Sequence, residues 1–115
     1  MRSLNLLVLR CRDVEASRTF YETFGLRFTK HAHGTGPEHY AHEDDRGVLE
    51  LYPATSPASG DLTGLGFAVG SLEETARLLT TALHAPGPIR DNPWGRSFVV
   101  RDPDGRRVEV TQGTP

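Results

Sequence analysis

Hydrophobic and polar positions alternate along this chain in two rounds of one programme. Leu4 to Cys11 is a near-continuous apolar run broken by Asn5 and Arg10, short enough for a strand buried on both faces. Asp13 then reads as an N-cap. Val14, Ser17, Phe20, Tyr21 and Phe24 follow at helical spacing, and Gly25 supplies the stop. Leu26 to His33 predicts a second strand, broken by Gly34-Thr35-Gly36-Pro37. His39 to Glu43 and Val48 to Tyr52 predict two more, joined by the turn sequence Asp44-Asp45-Arg46-Gly47. The first round is β-α-β-β-β.

The second round begins after a stretch rich in Pro, Ser, Ala and Thr. Leu65 to Val69 predicts a strand, and Ser71-Leu72-Glu73-Glu74 has the form of a capping box. Leu72, Thr75, Ala76, Leu79 and Leu83 make the apolar stripe of a helix that stops at Pro86-Gly87-Pro88. Ile89-Arg90 is a brief strand. A hairpin closes the chain: Ser97 to Arg101 and Arg107 to Thr111 flank Asp102-Pro103-Asp104-Gly105, where Pro103 suits the first central turn position and Gly105 can take positive φ. In its last strand Val108 and Val110 point to one face, and Arg107, Glu109 and Thr111 to the other. The two helix starts, Asp13 and Ser71, and the two acids on final strands, Glu50 and Glu109, are separated by the same distance to within one residue. The fold class is therefore α+β, a single domain over 1–115 made of tandem β-α-β-β-β modules: module one at 1–53, a linker at 54–63 and module two at 64–115.

Composition narrows the function more than the fold. Hydrophobic content of 37% and charge content of 24% are ordinary for a globular chain, and a net charge of -2 gives no general attraction to nucleic acid or to anionic membranes. The basic residues are nearly all Arg, scattered rather than clustered, and read as solvated faces. The one cysteine, Cys11, excludes an intrachain disulfide and reads as a small buried hydrophobe. The apolar N-terminal run is too short to span a membrane, so a cytoplasmic location is expected.

Three pieces of the chain carry a resemblance: Arg12 to Leu26, the Pro93-Trp94-Gly95 motif, and Asp102 to Val110. With them the sequence resembles the vicinal oxygen chelate superfamily of glyoxalases, bleomycin-resistance proteins and dioxygenases, nearest in motif to the metal-free bleomycin-resistance-like members. The resemblance implies a mixed sheet curled around a cavity, with helices outside. It also implies four inward metal-ligand positions, which fall here on Leu6, Glu50, Gly64 and Glu109. Leu6 and Gly64 stand where the family usually has His, and neither side chain offers a lone pair. Two carboxylates alone make a poor site for Zn, Fe or Ni, so no metal and no cofactor is expected.

The inward set implied by that fold comprises Leu6, Val8, Arg10, His39, Glu50, Tyr52, Trp94, Phe98, Arg107 and Glu109, a mixture suited to a sizeable organic ligand. Glu50 and Glu109 either pair with Arg10 and Arg107 or serve the ligand, as hydrogen-bond acceptors or as a general base. Trp94 either caps the core, packs a dimer interface or stacks on a planar ligand. His31, His33, His39 and His42 are expected to face solvent or line the cavity singly, with a site joining His39 or His42 to Glu50 and Glu109 as the alternative. His84 reads as complementing a helix dipole. The expected function is metal-independent binding and sequestration of an aromatic molecule such as an antibiotic, by a homodimer without nucleic-acid or membrane partners. The alternatives are a metal-free isomerase or lyase using Glu50 or Glu109 as base, and a glyoxalase or dioxygenase with a non-standard metal site.

Overall fold

The computed structural model describes residues 3–55 and 62–113, so most of the expected linker, residues 56–61, lies outside the described residues. Each half folds as its alternation predicts. The first runs β1 (Leu6–Cys11), α1 (Val14–Glu22), β2 (Thr29–His31), β3 (His39–Asp44) and β4 (Gly47–Pro53). The second runs β5 (Gly64–Val69), α2 (Leu72–Thr81), β6 (Arg90–Asn92), β7 (Gly95–Arg101) and β8 (Arg107–Gln112). Each half builds a four-stranded mixed sheet, ordered β1-β4-β3-β2 and β5-β8-β7-β6. In both, the first strand pairs parallel with the last, and the remaining pairs are antiparallel. The fold is α+β, and neither sheet closes on itself.

Local chemistry sets the boundaries. The Asp13 carboxylate accepts from the N–H groups of Glu15 and Ala16, both at 3.1 Å, and the Ser71 hydroxyl accepts from Glu74 N–H at 3.1 Å. The second helix ends sooner than the stripe predicts. Leu83 has φ of 68°, donates to the Thr80 carbonyl, and is followed by His84 N–H on the Leu79 carbonyl at 2.9 Å. That is a Schellman stop with leucine where glycine is usual. Leu83 is 93% exposed and takes no part in the apolar stripe. The strand expected over 26–33 shrinks to Thr29–His31, and Leu26 and Phe28 pack against the core ahead of it.

The helix-facing side of each sheet holds the core. Leu9, Cys11, Leu51, Phe98, Val100, Val108 and Val110 are buried there with Phe20 and Tyr21 of α1 and Leu72 and Leu79 of α2. Burial pushes the Cys11 thiol above its ordinary value, as fits a buried apolar group. The halves join through aromatic and ionic contacts. Phe24 stacks on Phe67, with centroids 4.9 Å apart and planes at 12°. Tyr21 Oη donates to Asp102 Oδ2 at 2.6 Å, and Arg106 Nη1 reaches the same oxygen at 3.0 Å, all three side chains being buried. Arg106 Nη2 donates to the Arg10 carbonyl, and Arg12 binds Asp104 through its backbone N–H and Nε. The expectation that the arginines are solvated thus fails at Arg106. Its charge is tolerated inside because a carboxylate and a carbonyl receive it.

His84 also departs from its expected role. Its ring stands edge-on to Phe20 at 4.9 Å, and burial lowers its pKa, whereas a dipole-complementing imidazolium would need the opposite.

Candidate functional site

The face of each sheet turned away from the helices carries most of the expected site residues. On the first sheet it carries Leu6, Val8 and Arg10 from β1, Val48, Glu50 and Tyr52 from β4, and His39 and Ala41 from β3, as the register and the alternation of burial require. Three of these side chains form one ladder. The Arg10 guanidinium carbon lies 4.9 Å from the Tyr52 ring centroid, and Tyr52 stacks on His39 at 4.1 Å with planes 9° apart. Because the rings are nearly parallel, the Tyr52 hydroxyl sits over the imidazole. Its 3.3 Å approach to Nε2 therefore belongs to the stack rather than to a linear hydrogen bond.

His39 is 2% exposed. Its Nε2 lies 3.4 Å from Glu50 Oε2 and its Nδ1 lies 3.3 Å from the Pro37 carbonyl oxygen. Glu50 therefore meets His39, and not Arg10. His31 and His33 adjoin the ladder, their centroids 5.9 Å and 5.3 Å from that of His39. The three imidazoles are grouped: His31 and His33 are exposed, as the solvent-facing expectation had it, while the buried His39 does not stand singly, because the β2–β3 register sets His31 opposite it. The signal was present in the His-x-His alternation, but only the register completes it. His42 is turned to the other face: its Nδ1 accepts from Arg27 N–H at 3.0 Å and its Nε2 lies 3.2 Å from Asp44. It cannot join Glu50.

On the second sheet the open face carries Gly64, Gly66 and Ala68 from β5, Arg107, Glu109 and Thr111 from β8, and Val99 and Arg101 from β7. Glu109 lies 3.9 Å from Arg107, its neighbour but one on the same strand. Trp94, in the turn between β6 and β7, is 64% exposed and does not cap the core. Phe98 is corrected outright: it lies on the helix-facing side at 1% exposure, because it shares the parity of Val100 rather than that of Val99. A cavity of about 780 Å³ separates the edges of β1 and β5, lined by Leu6, Phe24, Leu26, Gly64, Gly66 and Phe67 among others. Of the ten expected ligand-contact residues only Leu6 lines it. The ladder lies on the sheet face beyond.

The profile of the glyoxalase/bleomycin resistance protein/dioxygenase superfamily matches residues 3–110. The chain belongs to that superfamily. Comparison with curated protein sequences returns no match. Among solved structures, the chain is similar to the antibiotic-binding protein TnmS3 from Streptomyces sp. CB03234, at 22% identity and a TM-score of 0.78, covering 99% of this chain and 98% of that one. It is also similar to the fosfomycin resistance protein FosX from Mesorhizobium loti, at 17% identity and a TM-score of 0.76, covering 99% and 94%. A lactoylglutathione lyase from Agrobacterium tumefaciens follows at 21% identity and a TM-score of 0.68, covering 96% and 93%. At these identities the likeness establishes the fold, which in this superfamily hosts binders and enzymes alike.

The superfamily's metal position can be tested on the residues present. Register sets Val8 beside Glu50 and Gly66 beside Glu109, so the neighbours of both acids lack donor atoms just as Leu6 and Gly64 do. Glu50 lies 3.4 Å from His39, and Glu109 lies 3.9 Å from Arg107. Among the described residues no group of three or more His, Cys, Asp or Glu is placed to hold a metal ion. The donor set does not fit a divalent metal there.

Proposed function

We propose that the protein is a metal-independent small-molecule binding protein of the glyoxalase/bleomycin-resistance superfamily. It sequesters a planar aromatic ligand, such as an antibiotic, in grooves completed by a second copy of the chain. In this reading residues 1–115 act as one cytoplasmic domain of two modules without nucleic-acid or membrane partners. The observation that carries it is the ladder on the sheet face away from the helices, in which Arg10 is exposed, Tyr52 half-buried and His39 buried behind them. Aromatic and cationic groups already stacked in register offer a planar guest contact without further ordering, and ordering is a main cost of binding. The acid positions support the same reading, since their neighbours on β1 and β5 supply no metal ligand.

Thermal-shift screening against aromatic natural products tests this. A ligand at a hundred times its Kd raises stability by about 2.7 kcal/mol, or roughly ten degrees for a domain of this size. Binding should survive chelator. A screen in which no aromatic compound stabilises the protein counts against the reading.

One observation favours a second reading. The buried His39 holds the Glu50 carboxylate at 3.4 Å, which would orient that acid as a general base in a metal-free isomerase or lyase. Product formation that persists in chelator and disappears in Glu50→Gln would establish it; ligand binding with no turnover in either protein would exclude it.

A further inference from the structure

The charge balance of the ladder goes further than the presence of a ligand, and the inference rests on the binding reading above. Several arginines of this chain meet a carboxylate: Arg12 meets Asp104, Arg18 meets Glu15 and Glu22, Arg77 meets Glu74, Arg96 meets Glu73, Arg106 meets Asp102 and Arg107 approaches Glu109. Arg10 does not. Among the described residues its guanidinium has no carboxylate within ion-pair distance, and the acid on its own sheet face, Glu50, lies 3.4 Å from His39 instead. It is the single arginine among the groups that the β1–β4–β3 register places on that face.

Arg10 is also held in place. Its carbonyl accepts from the buried Arg106, which fixes the backbone, and its guanidinium rests against Tyr52, which His39 backs in turn. Stacking on a ring uses the π-face of the guanidinium and leaves its five N–H donors for other partners. Since β1 pairs only with β4, no strand of the sheet flanks Arg10 on its far side. The open face of the second sheet carries positive charge as well. Arg101 and Arg107 are direct partners across β7 and β8, a like-charge pair that destabilises unless something negative lies between them. Both flank the turn whose Arg106 reaches the Arg10 carbonyl. Glu109, 3.9 Å from Arg107, offsets that pair only in part.

We propose that the ligand carries an anionic group, a carboxylate or its sulfonate or phosphonate equivalent, beside its planar ring system, and that Arg10 receives it. A guanidinium in a fixed position selects such a group by charge-assisted, often bidentate hydrogen bonds. A neutral ring would leave its donors to water, and a cationic one would be repelled.

Three probes sharing one ring isolate the effect: 9-anthracenecarboxylate, 9-anthracenemethanol and 9-(aminomethyl)anthracene, titrated against the intact protein by fluorescence. The carboxylate should bind about tenfold more tightly than the alcohol, with the amine weakest, and its advantage should shrink as salt rises. Arg10 is exposed, so Arg10→Gln should keep its circular dichroism spectrum. It should abolish the difference in affinity between carboxylate and alcohol, whatever it costs both through the lost stacking contact, while Arg10→Lys keeps much of the preference. Equal binding of all three probes, or a preference that survives in Arg10→Gln, overturns the assignment while leaving the protein a binder. Failure of all three to bind, together with an empty thermal-shift screen, removes the binding reading and this assignment with it.

Discussion

Tyr21 and Asp102 show how much a single polar contact carries here. The phenol is fully buried, its pKa is raised first by burial and then by the carboxylate that accepts its proton, and that carboxylate also receives Arg106. Removing the hydroxyl leaves a buried charge one donor short. Tyr21→Phe should therefore cost about 1.5–3 kcal/mol in urea unfolding, and a loss below about 0.5 kcal/mol would show that the network does not hold the halves together. None of this was legible beforehand. Arg106 and Arg107 are adjacent and chemically identical in the sequence. Only the chain reversal at Gly105, with φ of 89°, turns one inward to Asp102 and the other to the open face. Glu50, Tyr52 and Arg10 were legible as face-mates because strand parity fixes them. That Glu50 would choose His39 over Arg10 depended on a stacking geometry which parity does not encode.

At the level of elements, the sequence periods located every strand and both helices, and the errors fall at ends. The second helix illustrates why. A leucine in the left-handed region carries no sequence signal, since the residue normally found there is glycine. Because Leu83 is exposed and packs against little, Leu83→Gly should relieve the strain and raise stability by about 1 kcal/mol. A thermal midpoint at or below that of the parent protein would mean the backbone there is unstrained. Gly47 is the converse case. Its φ is 142°, and a Cβ there would stand 2.6 Å from the Asn5 carbonyl oxygen, the atom that also accepts from Val48 N–H. The turn between β3 and β4 and the entry to β1 therefore share one tight crossing. Gly47→Ala should destabilise by about 2 kcal/mol or more, measured by the same urea titration; a neutral result would show that the crossing opens freely.

For the molecule as a whole, two properties follow from what the chain covers and what it leaves bare. His84 sits against Phe20 between the halves with its pKa lowered by burial. The unfolded chain, with an ordinary histidine near 6.5, then binds the proton more readily than the folded one. Its contribution to stability is complete above that value and is lost as pH falls toward the lower folded pKa. The unfolding midpoint should decline between about pH 7 and pH 5, and His84→Gln should flatten that decline; an unchanged slope would place the titration elsewhere. The bare surfaces make a different demand. The strands β1 and β5 are both sheet edges, each paired on one side only, and they border the cavity of about 780 Å³. Leu4 is 78% exposed and Leu6 48%, so apolar side chains stand beside unpaired backbone donors and acceptors. Isolated edges of that kind invite association. A second copy, presenting the same surface by symmetry, can cover edges and leucines together. Sedimentation velocity should show one species of twice the chain mass, burying at least about 1,000 Å² in total. Leu6→Asp sets a charge on that edge without touching the helix-facing core, and should shift the boundary toward monomer with its circular dichroism preserved. A parent protein that sediments as a monomer while still binding its ligand would confine the groove to one chain and remove the partner from the site.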